Sequence, residues 1–406
     1  MKVNPDAAGM DARRLERITE HLQERYIGPG KIAGCQTAVV RHGQVAYFSS
    51  LGSMDLERAK PVAEDTIWRL YSMTKPITGV ALMTLYERGF FQLDDPVHRF
   101  IPSWRDIKVR EKGSDGEARL VDPRRAPTVR DVMMHTSGVG YGNLLDRLAE
   151  PAERGTPSIP ERQGTLETMA EELAGKPLHF HPGDHWMYSL GTDVCARLVE
   201  VISGRRFDEY LQDVLFGPLG MTDTAFVVDD SRVDRFAANY ARNRAKKLVS
   251  IDDPVESAYR RPRSFLSGGG GLVGTIGDYL RFCQMLLNGG ELDGARVLGP
   301  KTVELMTANH LPGGGDMASF AVPGAYGEVG FAGMGFGLTM AVGLGPVRTG
   351  VIGSPGEYMW GGAASTSFWC DPVEELAVVF MTQLMPSGTF NFRGQLKTLV
   401  YPAIVD

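Results

Sequence analysis

The chain has few cysteines, no basic tract and no long apolar run, and each shortage argues against a class of protein. Four cysteines among 406 residues lie far apart without paired spacing, which indicates neither a disulfide framework nor a zinc site. The net charge of −6 makes nucleic acid and anionic membrane surfaces poor candidate partners. No run approaches the roughly 18 apolar residues of a membrane-spanning helix, and the N-terminus lacks the apolar segment of a signal peptide. We therefore expect a soluble cytoplasmic protein, unless a leader has been trimmed, with no membrane insertion.

The nucleophile motif of the α/β-hydrolases is also missing, because no Gly-x-Ser-x-Gly sequence occurs. The motif Ser72-x-x-Lys75 offers another nucleophile and base. Side chains three apart share a helix face, so the Lys75 amine can take the Ser72 proton if desolvation lowers the lysine pKa. The spacing alone is weak, since chance gives about half a match at this composition. In the alternative interpretation, Ser72 only caps a helix and Lys75 is solvated.

The surroundings of Ser72 favour catalysis. Residues 65–71 alternate as in a short strand, and helical periodicity follows to Leu85. Pro76 is tolerated only in a first turn, which places the helix start near Ser72. First-turn N–H groups lack partners within the helix, so they suit an oxyanion.

The pattern of the whole chain predicts an α+β fold in which strand segments at both ends form one sheet. A helix at residues 15–26 precedes a hairpin around His42-Gly43, and strands return at 338–342, 357–360, 365–369 and 376–382 before a final helix at 392–400. The middle is mostly helical in pattern. We therefore expect an α/β domain from residues 1–95 and 265–406, with a mainly helical insertion domain at 96–264.

Tyr188 follows the turn at Pro182-Gly183 and precedes a predicted helix from Val194 to Ile202. A tyrosine near an ammonium has its phenolate form favoured, and could then shuttle a proton between nucleophile and leaving group. Simple packing is the alternative for a lone tyrosine.

Several motifs fall in a recognisable order: Ser72-x-x-Lys75, His135-Thr136-Ser137-Gly138, Pro182-Gly183 with Tyr188-Ser189, Pro218-Leu219-Gly220-Met221-x-x-Thr224 and Trp360-Gly361-Gly362. The chain resembles the serine β-lactamase and DD-peptidase superfamily, and most closely the family VIII carboxylesterases, which look like class C β-lactamases. The resemblance runs from about residue 10 to the C-terminus. It implies a β-lactamase/transpeptidase-like fold, with an antiparallel sheet flanked by helices, an all-helical insertion domain and a cleft between them.

The resemblance also implies roles for individual residues. Ser72 would be the acylated nucleophile, and Lys75 and Tyr188 would be its proton partners. The backbone N–H groups of Ser72 and Ala363 would form the oxyanion hole. The candidate substrate-binding residues are Trp360, Gly361, Gly362, Leu190 and Tyr141.

Two departures from the β-lactamase pattern point to esters. Trp360 stands where the Lys-Thr-Gly motif has a lysine, and Leu190 where Tyr-x-Asn has an asparagine. An indole removes the point charge that attracts a substrate carboxylate and offers an apolar wall, although Trp360 could also be a packed core aromatic. We expect a serine carboxylesterase acting on a small-molecule ester without a cofactor. The alternatives are a β-lactamase or D-amino-acid peptidase, an acyltransferase, and an inactive binding module.

Three other motifs have weaker interpretations. Histidines at 179, 181 and 185 resemble a zinc-ligand motif, but their spacing is one residue longer than that motif requires. The sequence Gly269-x-Gly271-x-x-Gly274 matches a dinucleotide fingerprint without the strand that should precede it, so a turn packed beside the cleft is preferred. His135 and Ser137 could suggest a catalytic pair, yet the segment is more typical of a helix end.

Overall fold

Eight antiparallel strands form the central sheet, and their order across it is Met334–Phe336, Ala341–Gly343, Tyr358–Gly361, Ser367–Asp371, Leu376–Thr382, Gly34–Arg41, Gln44–Asp55 and Lys60–Pro61. The computed structural model describes residues 1–113, 115–141 and 163–406. Its strands are β1 (Gly34–Arg41), β2 (Gln44–Asp55), β3 (Lys60–Pro61), β4 (Ile67–Arg69), β5 (Val109–Lys112), β6 (Ala118–Val121), β7 (Asn239–Arg242), β8 (Leu248–Asp252), β9 (Val273–Thr275), β10 (Glu291–Leu292), β11 (Ala295–Arg296), β12 (Met334–Phe336), β13 (Ala341–Gly343), β14 (Tyr358–Gly361), β15 (Ser367–Asp371), β16 (Leu376–Thr382) and β17 (Leu384–Met385).

The helices cover both faces of this sheet and form most of the middle of the chain. They are α1 (Ala12–Leu22), α2 (Thr74–Glu87), α3 (Val129–Met134), α4 (Leu166–Ala174), α5 (Gly191–Ser203), α6 (Phe207–Leu211), α7 (Gly217–Leu219), α8 (Ile276–Leu287), α9 (Pro300–Thr307), α10 (Met317–Phe320), α11 (Pro346–Thr349) and α12 (Phe392–Val400). Within the described ranges, none of them is long and apolar enough to cross a membrane.

The two ends of the chain meet in the sheet, as the strand pattern predicts. Val39 of β1 pairs with Tyr47 of β2 on one side and with Val378 of β16 on the other. The predicted hairpin turn at His42-Gly43 is confirmed, and both residues have positive φ (51° and 70°), as a tight two-residue turn requires. Every residue of β1 is buried, because helices cover both of its faces.

Aromatic contacts define the two helical layers. Tyr279 of α8 packs on Phe368 of β15 with ring centroids 5.1 Å apart, and Phe392 of α12 packs on Phe380 of β16 at 4.9 Å. Phe368 pairs with Val379, the neighbour of Phe380, so the two contacts lie on opposite faces of the sheet. This arrangement of helix, sheet and helix confirms the predicted fold class.

The middle of the chain also contains strands. Helices α3 to α7 lie within residues 96–264, but so do the short antiparallel pairs β5–β6 and β7–β8. Strand β17, from the C-terminal part, pairs in parallel with β7. The boundaries predicted at residues 95 and 264 stay predictions.

The predicted position of one strand, at residues 338–342, is wrong. Strand β12 ends at Phe336 and β13 begins at Ala341, so the predicted segment spans the turn between them. Thr339 adopts a left-handed φ of 72° in this turn. A run of apolar residues gives no sign of such a reversal, because turn and strand residues are equally buried here.

Ser72 lies in the short 3₁₀ turn Tyr71–Met73 that leads into α2. Every residue of α2 from Thr74 to Met83 is buried, which explains why the segment is apolar on all sides. Lys75 is 0% exposed. The solvated lysine of the alternative interpretation is therefore wrong.

Candidate active site

Ser72 lies between two groups that can exchange a proton with its hydroxyl. Its Oγ accepts a hydrogen bond of 2.7 Å from the Tyr188 hydroxyl and lies 3.3 Å from Lys75 Nζ. All three side chains are buried. The structure thus brings together three residues that two separate sequence motifs predict.

The Lys75 amine is held by acceptors from two other segments. Nζ donates to the Gly269 carbonyl at 2.7 Å and lies 3.4 Å from the Tyr141 hydroxyl. Burial lowers the pKa of Lys75 to about 8, while the charges of Asp193 and Glu328 act in the opposite direction. Burial has this effect because the ammonium form loses its hydration. About a tenth of the amine is then neutral at pH 7, which suits a general base.

Tyr188 is a neutral hydroxyl rather than a phenolate. Burial raises its pKa well above the usual value, and the nearby Tyr141 and Glu328 act in the same direction, whereas the hydrogen bond with Ser72 lowers it. Lys75 Nζ lies 4.5 Å from the centre of the Tyr188 ring. The expectation of a favoured phenolate is wrong, because loss of solvation outweighs the neighbouring amine. A neutral hydroxyl can still donate to one oxygen while it accepts from another.

Aromatic rings surround Tyr188 and fix its position. Ring centroids lie 5.0 to 6.2 Å from its own for His135, Tyr141, Trp186, Tyr326 and Trp360. Such packing leaves little freedom for the ring, so the hydroxyl stays directed at Ser72.

The end of β14 approaches the turn that carries Ser72. A Cβ atom on Gly362 would collide with the Leu70 carbonyl oxygen, so only glycine permits this approach. Ala363 then joins Tyr71 in a small apolar cluster. The backbone at 362–363 therefore lies against residues 70–71, as an oxyanion hole shared between Ser72 and Ala363 would need.

Tyr71 has a strained backbone directly before the nucleophile. Its φ is 46°, a value that non-glycine residues rarely adopt. Its buried hydroxyl accepts a hydrogen bond of 2.9 Å from Asn239 Nδ2. Surrounding contacts must maintain this strain, which sets the direction of the turn at Ser72.

Trp360 is fully buried beneath Tyr188. Its ring centroid lies 5.6 Å from that of Tyr188 and 5.5 Å, edge-on, from that of Phe336. Within the described ranges, its Nε1 has no hydrogen-bond partner. Trp360 is thus both a core aromatic and a direct neighbour of the proton relay, and its predicted contact with substrate stays a prediction.

The other predicted binding residues come from three different segments. Tyr141 is half-buried and contacts both Lys75 and the ring of Tyr188. Leu190 is half-buried at the start of α5. Gly361 ends β14, and a Cβ there would lie 3.0 Å from Arg393 Nη2.

A cavity of about 350 Å³ lies beside the site. Tyr326 lines it and also packs on Tyr188, so the cavity and the reacting groups share a wall. The Glu328 carboxylate, also in the lining, accepts a hydrogen bond of 2.6 Å from Ser387 Oγ. Arg393 donates to the backbone carbonyls of Glu328 and Trp360 at 3.1 and 2.9 Å. The space is therefore partly aromatic and partly polar.

Comparison with known proteins identifies the family of the chain. The model of the Beta-lactamase family matches residues 15–400. The chain belongs to the beta-lactamase family. Its relatives include Esterase EstB from Burkholderia gladioli, 30% identical over 407 residues and 95% of each chain, and Protein Rv1367c from Mycobacterium tuberculosis strain ATCC 25618 / H37Rv, 33% identical over 360 residues, 88% of this chain and 87% of that one.

A solved structure has the same fold as this member of the beta-lactamase family. EstCE1, described as a hydrolase with promiscuous acyltransferase activity, superposes with a TM-score of 0.78 at 26% identity, covering 97% of this chain and 99% of its own. The predicted resemblance and fold are confirmed. The predicted serine hydrolase is in keeping with this family and with the esterases among its relatives.

Three residues of the site escape prediction from the sequence. Gly269 supplies the carbonyl that holds Lys75, although the pattern shows only a glycine-rich turn beside the cleft. Asp193 and Glu328 are carboxylates that act on the pKa of Lys75. No local motif marks them, since each reaches the site through tertiary packing.

The competing motifs take structural roles in this beta-lactamase-family fold. His135 has a left-handed backbone that ends α3, and its Nδ1 lies 2.8 Å from Ser189 Oγ. His181 Nδ1 accepts from the Arg124 backbone N–H at 3.3 Å. Across residues 1–113, 115–141 and 163–406, no group of three histidine, cysteine or acidic side chains is placed to hold a metal ion.

Proposed function

We propose that this protein is a serine carboxylesterase that hydrolyses short- to medium-chain esters through an acyl-enzyme on Ser72. The observation that carries the proposal is the position of Ser72 Oγ, 2.7 Å from the Tyr188 hydroxyl and 3.3 Å from the buried Lys75 amine. A nucleophile in contact with a base and a proton shuttle is what covalent acyl transfer requires. The name of Esterase EstB supports esters as the substrate class, and EstCE1 is described as a hydrolase.

In the acylation step, Ser72 Oγ attacks the carbonyl carbon of the ester while its proton passes to the neutral amine of Lys75, directly or through Tyr188. The carbonyl oxygen gains negative charge and accepts hydrogen bonds from the backbone N–H groups of Ser72 and Ala363. The bond to the alcohol oxygen then breaks, and the leaving alkoxide takes the proton held by the Lys75 and Tyr188 pair. Both groups contact the nucleophile, so the relay belongs to the pair.

Deacylation repeats these steps with water as the nucleophile. The pair takes a proton from water as its oxygen attacks the acyl carbon, and returns a proton to Ser72 Oγ when the carboxylic acid leaves. The neutral Tyr188 hydroxyl can serve both halves, because it donates and accepts at the same oxygen.

The residues around the relay favour an uncharged ester. Trp360 and Leu190 replace the lysine and asparagine of the β-lactamase pattern, which removes a point charge suited to a carboxylate. In this proposal Tyr141, Gly361 and Gly362 contact the ester; Tyr141 lies 3.4 Å from Lys75, and Gly362 lies against Leu70. The cavity of about 350 Å³ lies on the other side of Tyr326 from Tyr188, and its lining does not include the three reacting residues.

The test compares the wild-type protein with Ser72→Ala on p-nitrophenyl butyrate. The wild type should release p-nitrophenol, and the variant should lose at least about 1,000-fold in kcat because the covalent route is gone. Ser137→Ala is the matched control, since Ser137 is also buried and belongs to the competing motif. Equal turnover by the wild type and Ser72→Ala contradicts the proposal.

An acyltransferase using the same acyl-enzyme is the second candidate, and the description of EstCE1 supports it. Added methanol should then divert p-nitrophenyl butyrate to methyl butyrate faster than water hydrolyses it. Comparable turnover of nitrocefin and the aryl ester would favour a β-lactamase, and a D-Ala-D-Ala peptide tests peptidase activity. If a fluorophosphonate probe fails to label Ser72, the protein is an inactive binding module.

A further inference from the structure

Asp193 is a buried carboxylate that the mechanism above does not use. It lies in the first turn of α5 and is 1% exposed. Its Oδ1 accepts hydrogen bonds from Ser267 Oγ at 2.6 Å and from the Gly269 backbone N–H at 3.1 Å. Its Oδ2 is buried without a hydrogen-bond partner in the part of the chain that the structure describes. An ionised carboxylate in such a place is costly, so a compensating role is expected.

Gly269 connects this carboxylate to the active site. Its N–H donates to Asp193, and its carbonyl accepts from Lys75 Nζ at 2.7 Å. A Cβ atom on Gly269 would lie 2.5 Å from Asp193 Oδ2, so the close approach requires glycine. One peptide unit thus bonds to the carboxylate on one side and to the amine on the other.

We infer that Asp193 is a positioning residue of the acyl-transfer site, which fixes the turn 267–271 so that the Gly269 carbonyl holds the Lys75 amine beside Ser72, and which supplies a buried negative charge to that amine. The inference rests on the proposed function, because it requires Lys75 to act as the base.

Among the groups around Lys75, the Asp193 carboxylate has an effect on the amine that can be tested by itself. The amine is faced by Ser72 on its own segment, by the neutral hydroxyls of Tyr141 and Tyr188, by His135, and by the carboxylates of Asp193 and Glu328. His135 is neutral at pH 7, because burial lowers its pKa and the Lys75 charge lowers it further. Burial lowers the pKa of Lys75, and the Asp193 charge opposes this more strongly than the Glu328 charge. Removing only the Asp193 charge should therefore let the amine lose its proton at a lower pH.

The test is the pH dependence of kcat/KM for p-nitrophenyl butyrate in Asp193→Asn. The asparagine oxygen can keep both hydrogen bonds, while the charge is lost. The acid limb should move to lower pH by about one unit, the size expected for loss of one nearby opposite charge. Asp278→Asn is the matched control: Asp278 is also a buried carboxylate near a helix start, and it accepts bonds from the Asp223 N–H at 2.9 Å and Thr224 Oγ1 at 2.8 Å. Its acid limb should stay in place.

Ser267→Ala tests the positioning role separately from the charge. It removes the 2.6 Å bond to Asp193 Oδ1 but leaves the carboxylate, so kcat should fall about 3- to 30-fold with the acid limb unmoved. An unmoved acid limb in folded Asp193→Asn overturns the inference. A kcat of Ser267→Ala equal to that of the wild type also overturns the inference. If Asp193→Asn fails to fold, the Ser267→Ala result is the test of the inference.

A second readout separates this inference from the proposed substrate. The rate at which a fluorophosphonate probe labels Ser72 also depends on deprotonation of the nucleophile, and needs no ester. If wild type labels but hydrolyses no ester, the proposed substrate fails, and the same shift in the pH dependence of labelling still supports the role of Asp193. If the labelling rates of wild type and Asp193→Asn have the same pH dependence, the inference is wrong.

Discussion

Replacing Lys75 with methionine should abolish turnover and yet stabilise the fold at pH 7. The pKa of Lys75 falls from 10.5 to about 8 through burial, and at about 1.4 kcal/mol for each pH unit the charged amine costs the folded state ~3 kcal/mol. Methionine has a similar length and no charge. The lost hydrogen bond to Gly269 offsets about 1 kcal/mol, which leaves a gain of ~2 kcal/mol.

The pH dependence gives this prediction a definite sign. Below pH 8 the lysine is charged in both states, so its full cost is present. Between pH 8 and 10.5 the folded state has lost the proton that the unfolded state still binds, and the wild type becomes more stable as the pH rises. The advantage of Lys75→Met should therefore be largest at pH 7 and shrink by ~2 kcal/mol or more at pH 10.

Urea unfolding of both proteins at pH 7 and pH 10 measures this difference. The comparison between variant and wild type cancels the other groups that titrate in the same range. A variant that is less stable than the wild type at pH 7 would refute the reasoning, as would a difference that is the same at both pH values. Either result would mean that Lys75 is solvated or paired in the folded protein.

Three further predictions concern the same groups and one contrasting lysine. The acid limb of kcat/KM in the wild type should have its midpoint near pH 8, because Lys75 must be neutral to act as a base; a flat profile between pH 6 and 9 would exclude it. Tyr188→Phe should lower kcat by about 100-fold or more with little change in KM, measured by steady-state kinetics, since only the hydroxyl bonded to Ser72 is lost. Lys397→Met should destabilise the fold by about 3 kcal/mol in urea, opposite to Lys75→Met: burial lowers the pKa of Lys397 as well, but this amine is bonded directly to the buried Glu357 carboxylate, which would lose its cation.

Short stretches of sequence are sufficient to predict those parts of the fold that depend on neighbouring residues alone. Strand β16 and helix α12 have the predicted bounds, since a continuous apolar run marks the strand and a helical periodicity marks the helix. The pair Ser72 and Lys75 is also local, because three residues of a turn and helix bring the groups together. The prediction that Tyr188 is catalytic also depended on the order of motifs along the whole chain.

The remaining features depend on contacts between distant segments. The burial of Trp360 follows from Phe336 and Tyr188, which come from two other segments. The neutral state of Tyr188 follows from burial, which a motif does not encode. Asp193 meets Gly269 only after α5 packs against the glycine-rich turn. Sequence periodicity identifies the helices and strands, but it does not predict which residues of distant segments contact each other.

The pairing of β1 with β16 has a consequence for how the chain is made. Arg41 pairs with Leu376, so the central strand finds one of its two neighbours only after nearly the whole chain has been synthesised. At about 5 to 20 residues per second, the ribosome needs roughly 17 to 70 s to cover that interval. During this time the β1–β2 hairpin presents an unpaired edge and apolar faces to the cell. Nascent chains of this protein should therefore depend on chaperones until β16 emerges, and truncations before Leu376 should aggregate rather than fold.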